Sequence, residues 1–422
     1  MRFRDFRYLW IGLTVSNIGS WMQIFALGIL VVQIAEREGN PELAPLYLGL
    51  MGLARAVPGL LFTLVAGAVA DRVDRRKLLL ITQTTMAVNA GVLALVVFVG
   101  AASLWYVLVA AVIQSVAFAF DNPSRQSMIP RIVPMAILPS AIGLQSASFN
   151  AASVIGPVIA GLLYLPIGLA GLLAVNALSF AAIIGALKVM PALPPSRTHT
   201  RSLLGSIAEG VRYARGNREL VWIFATVTVI FAFAGPTSAL LPAVAGESLW
   251  NGMSWLSLLL AAMGVGSFCA AFVTMNVGRV RAPGKVYVFA AVMNGLMLLL
   301  FALSANPFAA LIFAFGTGFG GTLMAGMGNN MVQATTDDAY RGRMMSVWSI
   351  TFIGLMPVGQ LILGALGSLL GIHAALAIGG AVSLAAGLYA CFRVPHLRAW
   401  RTPRKVEVVQ PQTVAVGQPT FR

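Results

Sequence analysis

Read for polarity alone, the chain is a series of long apolar runs separated by short charged or turn-forming stretches. The runs fall at roughly 8–35, 46–70, 78–100, 104–121, 139–163, 167–187, 220–245, 253–277, 285–304, 307–331, 344–370 and 373–392. Each reaches the length at which a helix rising about 1.5 Å per residue crosses a hydrocarbon core about 30 Å thick. None shows the strict alternation of a barrel strand. The pattern predicts an all-α membrane protein with about twelve transmembrane helices. The first run is too long for the core of a cleavable signal.

The polar stretches divide the runs into two sets of six. Residues 1–187 form one predicted helical bundle and residues 220–393 a second. Between them, 188–219 reads as a linker: a Pro-rich piece (Pro191, Pro194, Pro195), then a basic amphipathic helix over Arg201–Arg218, expected to lie on the membrane surface. Residues 394–422 are polar and read as a disordered tail. The halves echo one another weakly. Trp10-Ile11 answers Trp222-Ile223, Pro157 answers Pro357, and the polar turn Asp121–Arg131 answers Asp337–Arg343.

Composition sharpens the class. The 422 residues are 59% hydrophobic and only 10% charged, far below the roughly 25% charged of soluble domains. Net charge is +15, but its placement excludes a nucleic-acid footprint. With the N-terminus inside, all Lys and Arg except Arg37 and Arg55 fall in internal segments, while Glu36, Glu38, Glu42 and Glu247 fall outside. An even number of spans and two cytoplasmic termini follow. Cys269 and Cys391 lie within apolar runs and read as packing residues. His199, His373 and His396 have no metal spacing, and no Walker loop is present, so neither metal nor cofactor is expected. Gly316-Thr317-Gly318-Phe319-Gly320-Gly321 satisfies a dinucleotide pattern, but no strand precedes it; close helix packing is the better reading.

The most specific string is Gly67-Ala68-Val69-Ala70-Asp71-Arg72-Val73-Asp74-Arg75-Arg76-Lys77, between spans 2 and 3. Gly67 permits close helix approach, Asp71 is placed to accept bonds from a helix N-terminus, and Arg75 can pair with a carboxylate. A generic basic turn is the plainer reading. In span 5, Gly143, Ala152, Gly156-Pro157 and Ala160-Gly161 set small residues beside a proline, which stiffens and closes a helix pair; ordinary helix packing would use the same residues.

These two strings resemble signatures of the major facilitator superfamily. Phe6–Trp10 leading to Ser16–Gln23, the turn Asn122-Pro123-Ser124-Arg125-Gln126, and Tyr340–Arg343 resemble its multidrug, macrolide and enterobactin-type exporter branch, over about 5–393. The resemblance implies two pseudo-symmetric six-helix bundles in the inner (plasma) membrane. It also implies export by alternating access, with protons as the counter-substrate. Asp71, Arg75 and Asp121 would form a gate latch, accompanied by Arg72, Asp74 and Arg76. The span 5 string would be an antiporter element, with alanine replacing two of its glycines. One departure stands out: the usual arginine of span 4 is absent, and Gln114 lies in its region. An importer or uniporter on the same fold is the alternative.

A charge inside the membrane is a functional candidate. Arg55 is the one near mid-membrane, about 22 Å from the inner end of span 2, with Gln23 at similar depth. The two are expected to face each other across a central cavity; a helix-tying arginine is the competing reading. Gln114, Gln145, Asn150 and Gln360 are further cavity candidates. Phe231, Phe233, Trp348 and Met356 are candidates for an apolar wall, though such residues are more often plain packing. No acid lies at mid-membrane, so Asp121 is the best-placed proton carrier. Membrane lipid, protons and a small molecule are the expected partners of a monomer. Paired acids or His clusters, which an intramembrane enzyme would need, are missing from the spans.

Overall fold

The computed structural model describes residues 3–191, 203–247, 253–275, 282–337 and 339–401. The chain is helical: α1 (Arg4–Arg37), α2 (Ala44–Arg72), α3 (Arg75–Phe98), α4 (Leu104–Ile132), α5 (Leu138–Val189), α6 (Leu203–Arg215), α7 (Arg218–Phe233), α8 (Thr237–Glu247), α9 (Met253–Met275), α10 (Pro283–Leu303), α11 (Pro307–Thr335), α12 (Arg341–Leu370), α13 (Ile372–Arg393) and α14 (Pro395–Ala399). Side chains start several of these helices. Asp74 accepts from the amides of Arg76 and Lys77, Asn217 from Glu219 and Leu220, and Asn306 from Phe308 and Ala309.

Among the described residues, 11 helical segments are long and apolar enough to cross a membrane. The fifth counts double. α5 has 52 residues, about 78 Å if straight, and it is broken at Gly168, where φ is 61°. Its partners on α1 reveal the reversal. Trp10 Nε1 donates to Leu144 O, Thr14 bonds Ser148, and Gln33 donates to Tyr164, so the first leg runs along α1. Asn176 then bonds Gln23, and Gly12 abuts Ile183, so the second leg runs back. Runs 139–163 and 167–187 are thus two legs of one helical hairpin. The run expected at 220–245 is instead α7 and α8, broken around Ala234–Pro236.

The structure revises two expectations and extends a third. The turn expected at Asp121–Arg131 is helical, as α4 continues to Ile132. Its polar residues face the preceding helical turn: Ser124 Oγ donates to Phe120 O, Gln126 to Asn122 Oδ1, and Arg125 pairs with Asp121. The linker helix, expected to lie on the membrane surface, has partners on the protein that its amphipathic pattern did not name. Arg343 meets Glu209 at 2.8 Å, Tyr213 stacks on Tyr340 with centroids 4.4 Å apart, and Tyr213 Oη donates to Asp337 Oδ2 while accepting from its amide. The disordered tail does not begin at 394. α14 packs beneath α10, with Leu397 and Trp400 buried and Trp400 Nε1 donating to Thr335 Oγ1. Three apolar side chains of this polar stretch, Val394, Leu397 and Trp400, join the core. Residues 402–422 lie outside the described residues.

Candidate functional site

The two halves meet at the ends of their helices farthest from the chain termini. Leu46 N donates to Ser368 Oγ (3.1 Å) and Gln360 Nε2 donates to Leu48 O (2.8 Å). Glycines make the approach possible. A Cβ at Gly49 would sit 3.0 Å from Leu361 Cα, one at Gly28 would sit 2.6 Å from Pro242, and Gly364 lies against Pro45 O. One apolar core there joins the halves, with Phe25, Leu30 and Leu48 from the first and Leu240, Leu256 and Leu363 from the second. A separate core, with Phe6, Leu9, Leu79 and Phe180, belongs to the first half alone at the end carrying the termini. At that end Leu61, Phe62 and Val65 of α2, Ile142 and Phe149 of α5 and Ile350 of α12 are exposed. The halves thus share an apolar core at the far end, whereas the core at the end carrying the termini belongs to the first half alone.

Arg55 lies midway along α2 and is half-buried. Its backbone carbonyl accepts from Ser115 Oγ; among the described residues its guanidinium has no hydrogen-bond or ion-pair partner. Gln114, half-buried on α4, has a buried Oε1 without a partner. Gln145 is half-buried and Asn150 exposed on the first leg of α5. The other expected cavity residues are engaged elsewhere. Gln23 is buried and accepts from Asn176 within the first half, not from Arg55. Gln360 is buried in the far seam against Gly52.

The wall residues divide. Phe231 and Trp348 join one aromatic cluster through Phe352, with centroids 4.1 and 5.1 Å from it, and Phe224 packs on Trp348. Trp348 is itself buried. Phe233 and Met356 are half-buried. Sequence reasoning passed over Asn329 and Gln333, half-buried on α11. Gln333 Nε2 donates to Asn329 Oδ1 at 2.6 Å, and Asn329 approaches Met345 Sδ of α12. Two amides four residues apart in an otherwise apolar run were the available signal.

The charged loop between α2 and α3 is built into the helix ends. Asp74 caps α3. Arg76 donates from Nε to Leu187 O (2.6 Å) and from Nη2 to Lys188 O (2.8 Å), satisfying carbonyls at the end of α5. Arg75 is buried. Gly67, Asp71 and Arg72 lie in the last turns of α2; their side chains are outside the described residues. Asp121 is 1% exposed. Its Oδ1 accepts from Thr82 Oγ1 (3.1 Å) and Gln83 Nε2 (2.7 Å), and its Oδ2 lies 3.6 Å from Arg125.

In the span 5 string, Gly143 is exposed and Ala152 buried. Gly156 brings α5 onto α1: a Cβ there would lie 2.5 Å from Trp21 Cβ. Pro157 is buried beside it. Gly161 faces Ser257 of α9 and so belongs to the seam between the halves.

Comparison with known proteins agrees with this architecture. Residues 1–416 match the family described as transmembrane secretion effector. Macrolide efflux protein A of Streptococcus pyogenes is 23% identical over 368 residues, covering 86% of this chain and 88% of that protein. The multidrug efflux pump Tap of Mycobacterium tuberculosis (strain ATCC 25618 / H37Rv) is 26% identical over 412 residues, covering 94% and 95%. Among solved structures, a POT family transporter in complex with 5-aminolevulinic acid superposes with a TM-score of 0.71 at 13% identity, covering 94% of this chain and 97% of that one. An inward-facing, unoccupied bacterial homolog of the human lysosomal transporter Spinster gives 0.68 at 15% identity, covering 93% and 96%.

Proposed function

Because the chain belongs to the transmembrane secretion effector family, with the major facilitator fold, we propose that it exports small hydrophobic, amphipathic or siderophore-like molecules by alternating access in exchange for protons. It is a multi-pass membrane transporter for a small molecule, not an enzyme. The names of its efflux relatives support export.

The observation that carries the reading is Arg55, half-buried midway along α2, whose guanidinium has no hydrogen-bond or ion-pair partner among the described residues; we read the seam at the far end as the closed side of a cleft that opens toward the termini. A charge held inside the membrane is costly unless it is paired or hydrated. A substrate that brings an anionic or acceptor-rich group to Arg55 offsets that cost, with Gln114, Gln145 and Asn150 as further polar contacts. The half-buried faces of Phe231, Phe233 and Met356 supply the apolar surface. The halves then rock about the glycine seam. Asp71, Arg75 and Asp121 latch the end carrying the termini while the far end opens. Asp121 is the proton carrier in this scheme, because protonation removes its pairing with Arg125 and loosens the contacts to Thr82 and Gln83. The chain works as a monomer in the inner membrane with both termini cytoplasmic.

The test is uptake into everted membrane vesicles of lipophilic cations, macrolides and catecholate siderophores, with and without a protonophore. Protonophore-sensitive accumulation that Asp71→Asn abolishes is the expected result. Arg55→Gln should raise KM about 10- to 100-fold for the acceptor-rich solutes, the loss of one hydrogen bond to a charged group. Unchanged KM for every transported solute would remove Arg55 from the site. Accumulation in right-side-out vesicles alone would replace export by import.

A further inference from the structure

On the outer wall of the first half, away from the cleft, a groove of about 420 Å³ runs between the start of α1 and the last turns of α5. Ile11, Gly12, Ala182, Gly185, Ala186 and Val189 line it, and Gly12 is buried where α1 packs closely on Ile183. At Gly185 a Cβ would meet nothing within 4 Å, so the groove is open there. Arg4 and Tyr8 line one end. The Arg4 Cζ lies 5.4 Å and the Arg7 Cζ 5.8 Å from the centroid of the Tyr8 ring. Both arginines are exposed, and among the described residues neither has an ion-pair partner. Lys188 is exposed near the same end, where Arg76 bonds its carbonyl. α1 begins at Arg4 without a side-chain cap, so its first amides point at the same region.

Charge complementarity selects the occupant. Asp5 is the acid of the same turn, yet among the described residues it forms no ion pair with either arginine; the two like charges against one ring repel each other, and an anion between them relieves the repulsion. The apolar groove continuing from that point takes a chain of methylenes. Only an amphiphile with a negative head satisfies both ends. We propose that this groove binds one anionic membrane phospholipid. Its phosphate is held by Arg4 and Arg7 beside the Tyr8 hydroxyl, and one acyl chain lies over Gly185.

The full-length protein, purified in detergent, would be examined by native mass spectrometry with phosphatidylglycerol and phosphatidylcholine of identical chains. Wild type should retain phosphatidylglycerol preferentially, and Arg4→Gln with Arg7→Gln should lose that preference by about fivefold per arginine. Gly185→Phe, which fills the groove, should weaken retention of both lipids. Arg398→Gln with Arg401→Gln, a cationic pair of the other half, should leave the preference intact. Equal preference in wild type and the Arg4/Arg7 variant overturns the proposal, as does undiminished retention by Gly185→Phe. Should the variants fail to fold, wild type is crosslinked with phosphatidylglycerol carrying a photoreactive acyl chain. Adducts within 4–12 and 182–189 support the site; adducts confined to other helices overturn it.

Discussion

At the scale of single residues, the buried pair Asp121 and Arg125 is the most exposed to substitution. Asp121→Asn keeps acceptors for Thr82 and Gln83 but strands a buried guanidinium. Breaking such a pair costs about 3–5 kcal/mol, whereas replacing both members can be nearly neutral. Asp121→Asn should therefore lower the unfolding temperature in detergent clearly, and adding Arg125→Gln should recover most of the loss. A double variant as unstable as the single one would show that the pairing contributes little. The pair was not read from the sequence, because Asp121–Arg131 has the composition of a turn and the resemblance assigns Asp121 to Arg75. Nor were Thr82 and Gln83, because they arrive from α3 through tertiary packing. The same limit governs Gln23: depth in span 1 follows from counting residues, but the choice between Arg55 and Asn176 depends on how a helix is rotated about its axis.

At the scale of elements, α6 shows what amphipathic pattern leaves open. The pattern located the helix correctly but could not say what covers its face, and the protein covers it with the start of α12. The contacts there are unequal. The Glu209 side chain is 52% exposed, and exposed ion pairs contribute about 0–1 kcal/mol. Tyr213 adds a ring stack, worth about 0.5–1.5 kcal/mol beyond its area, and two hydrogen bonds to Asp337. Tyr213→Ala should accelerate amide exchange over 203–215 by about tenfold or more, and Glu209→Gln by only a few-fold. Hydrogen exchange with mass spectrometry separates the two; the reverse ranking would make the ion pair the principal tie. α4 carries the complementary lesson. Its polar residues resemble a loop by composition, yet at helical spacing they satisfy one another.

At the scale of the whole molecule, the far seam sets which side of the cleft is open. Gly161 and Ser257, Gly28 and Pro242, and Gly49 and Leu361 allow closure by leaving no room for a side chain. Gly161→Leu should shift the population toward opening at that end. The readout is reaction of a thiol introduced by Ser368→Cys with a membrane-impermeant maleimide. It should quicken about tenfold for a shift of about 1.4 kcal/mol, and an unchanged rate would show that Gly161 does not hold the seam. The helical legs were readable from apolar run lengths. The end at which the halves meet was not, because either arrangement uses the same helices.

The break at Gly168 reaches beyond packing into biogenesis. Between Arg131 and Lys188 the chain has no Lys or Arg; those two flanking charges hold both ends of the hairpin on one side, and the turn itself carries none. The turn is left to Pro166 and to a backbone conformation, φ 61°, that side-chain-bearing residues rarely adopt. The reversal also sets the parity of every later leg. A nascent chain that missed it would present its second half upside down, basic loops outward. Gly168→Val should accordingly yield a mixed population at the ribosome, visible as a C-terminal reporter divided between the two sides of the membrane.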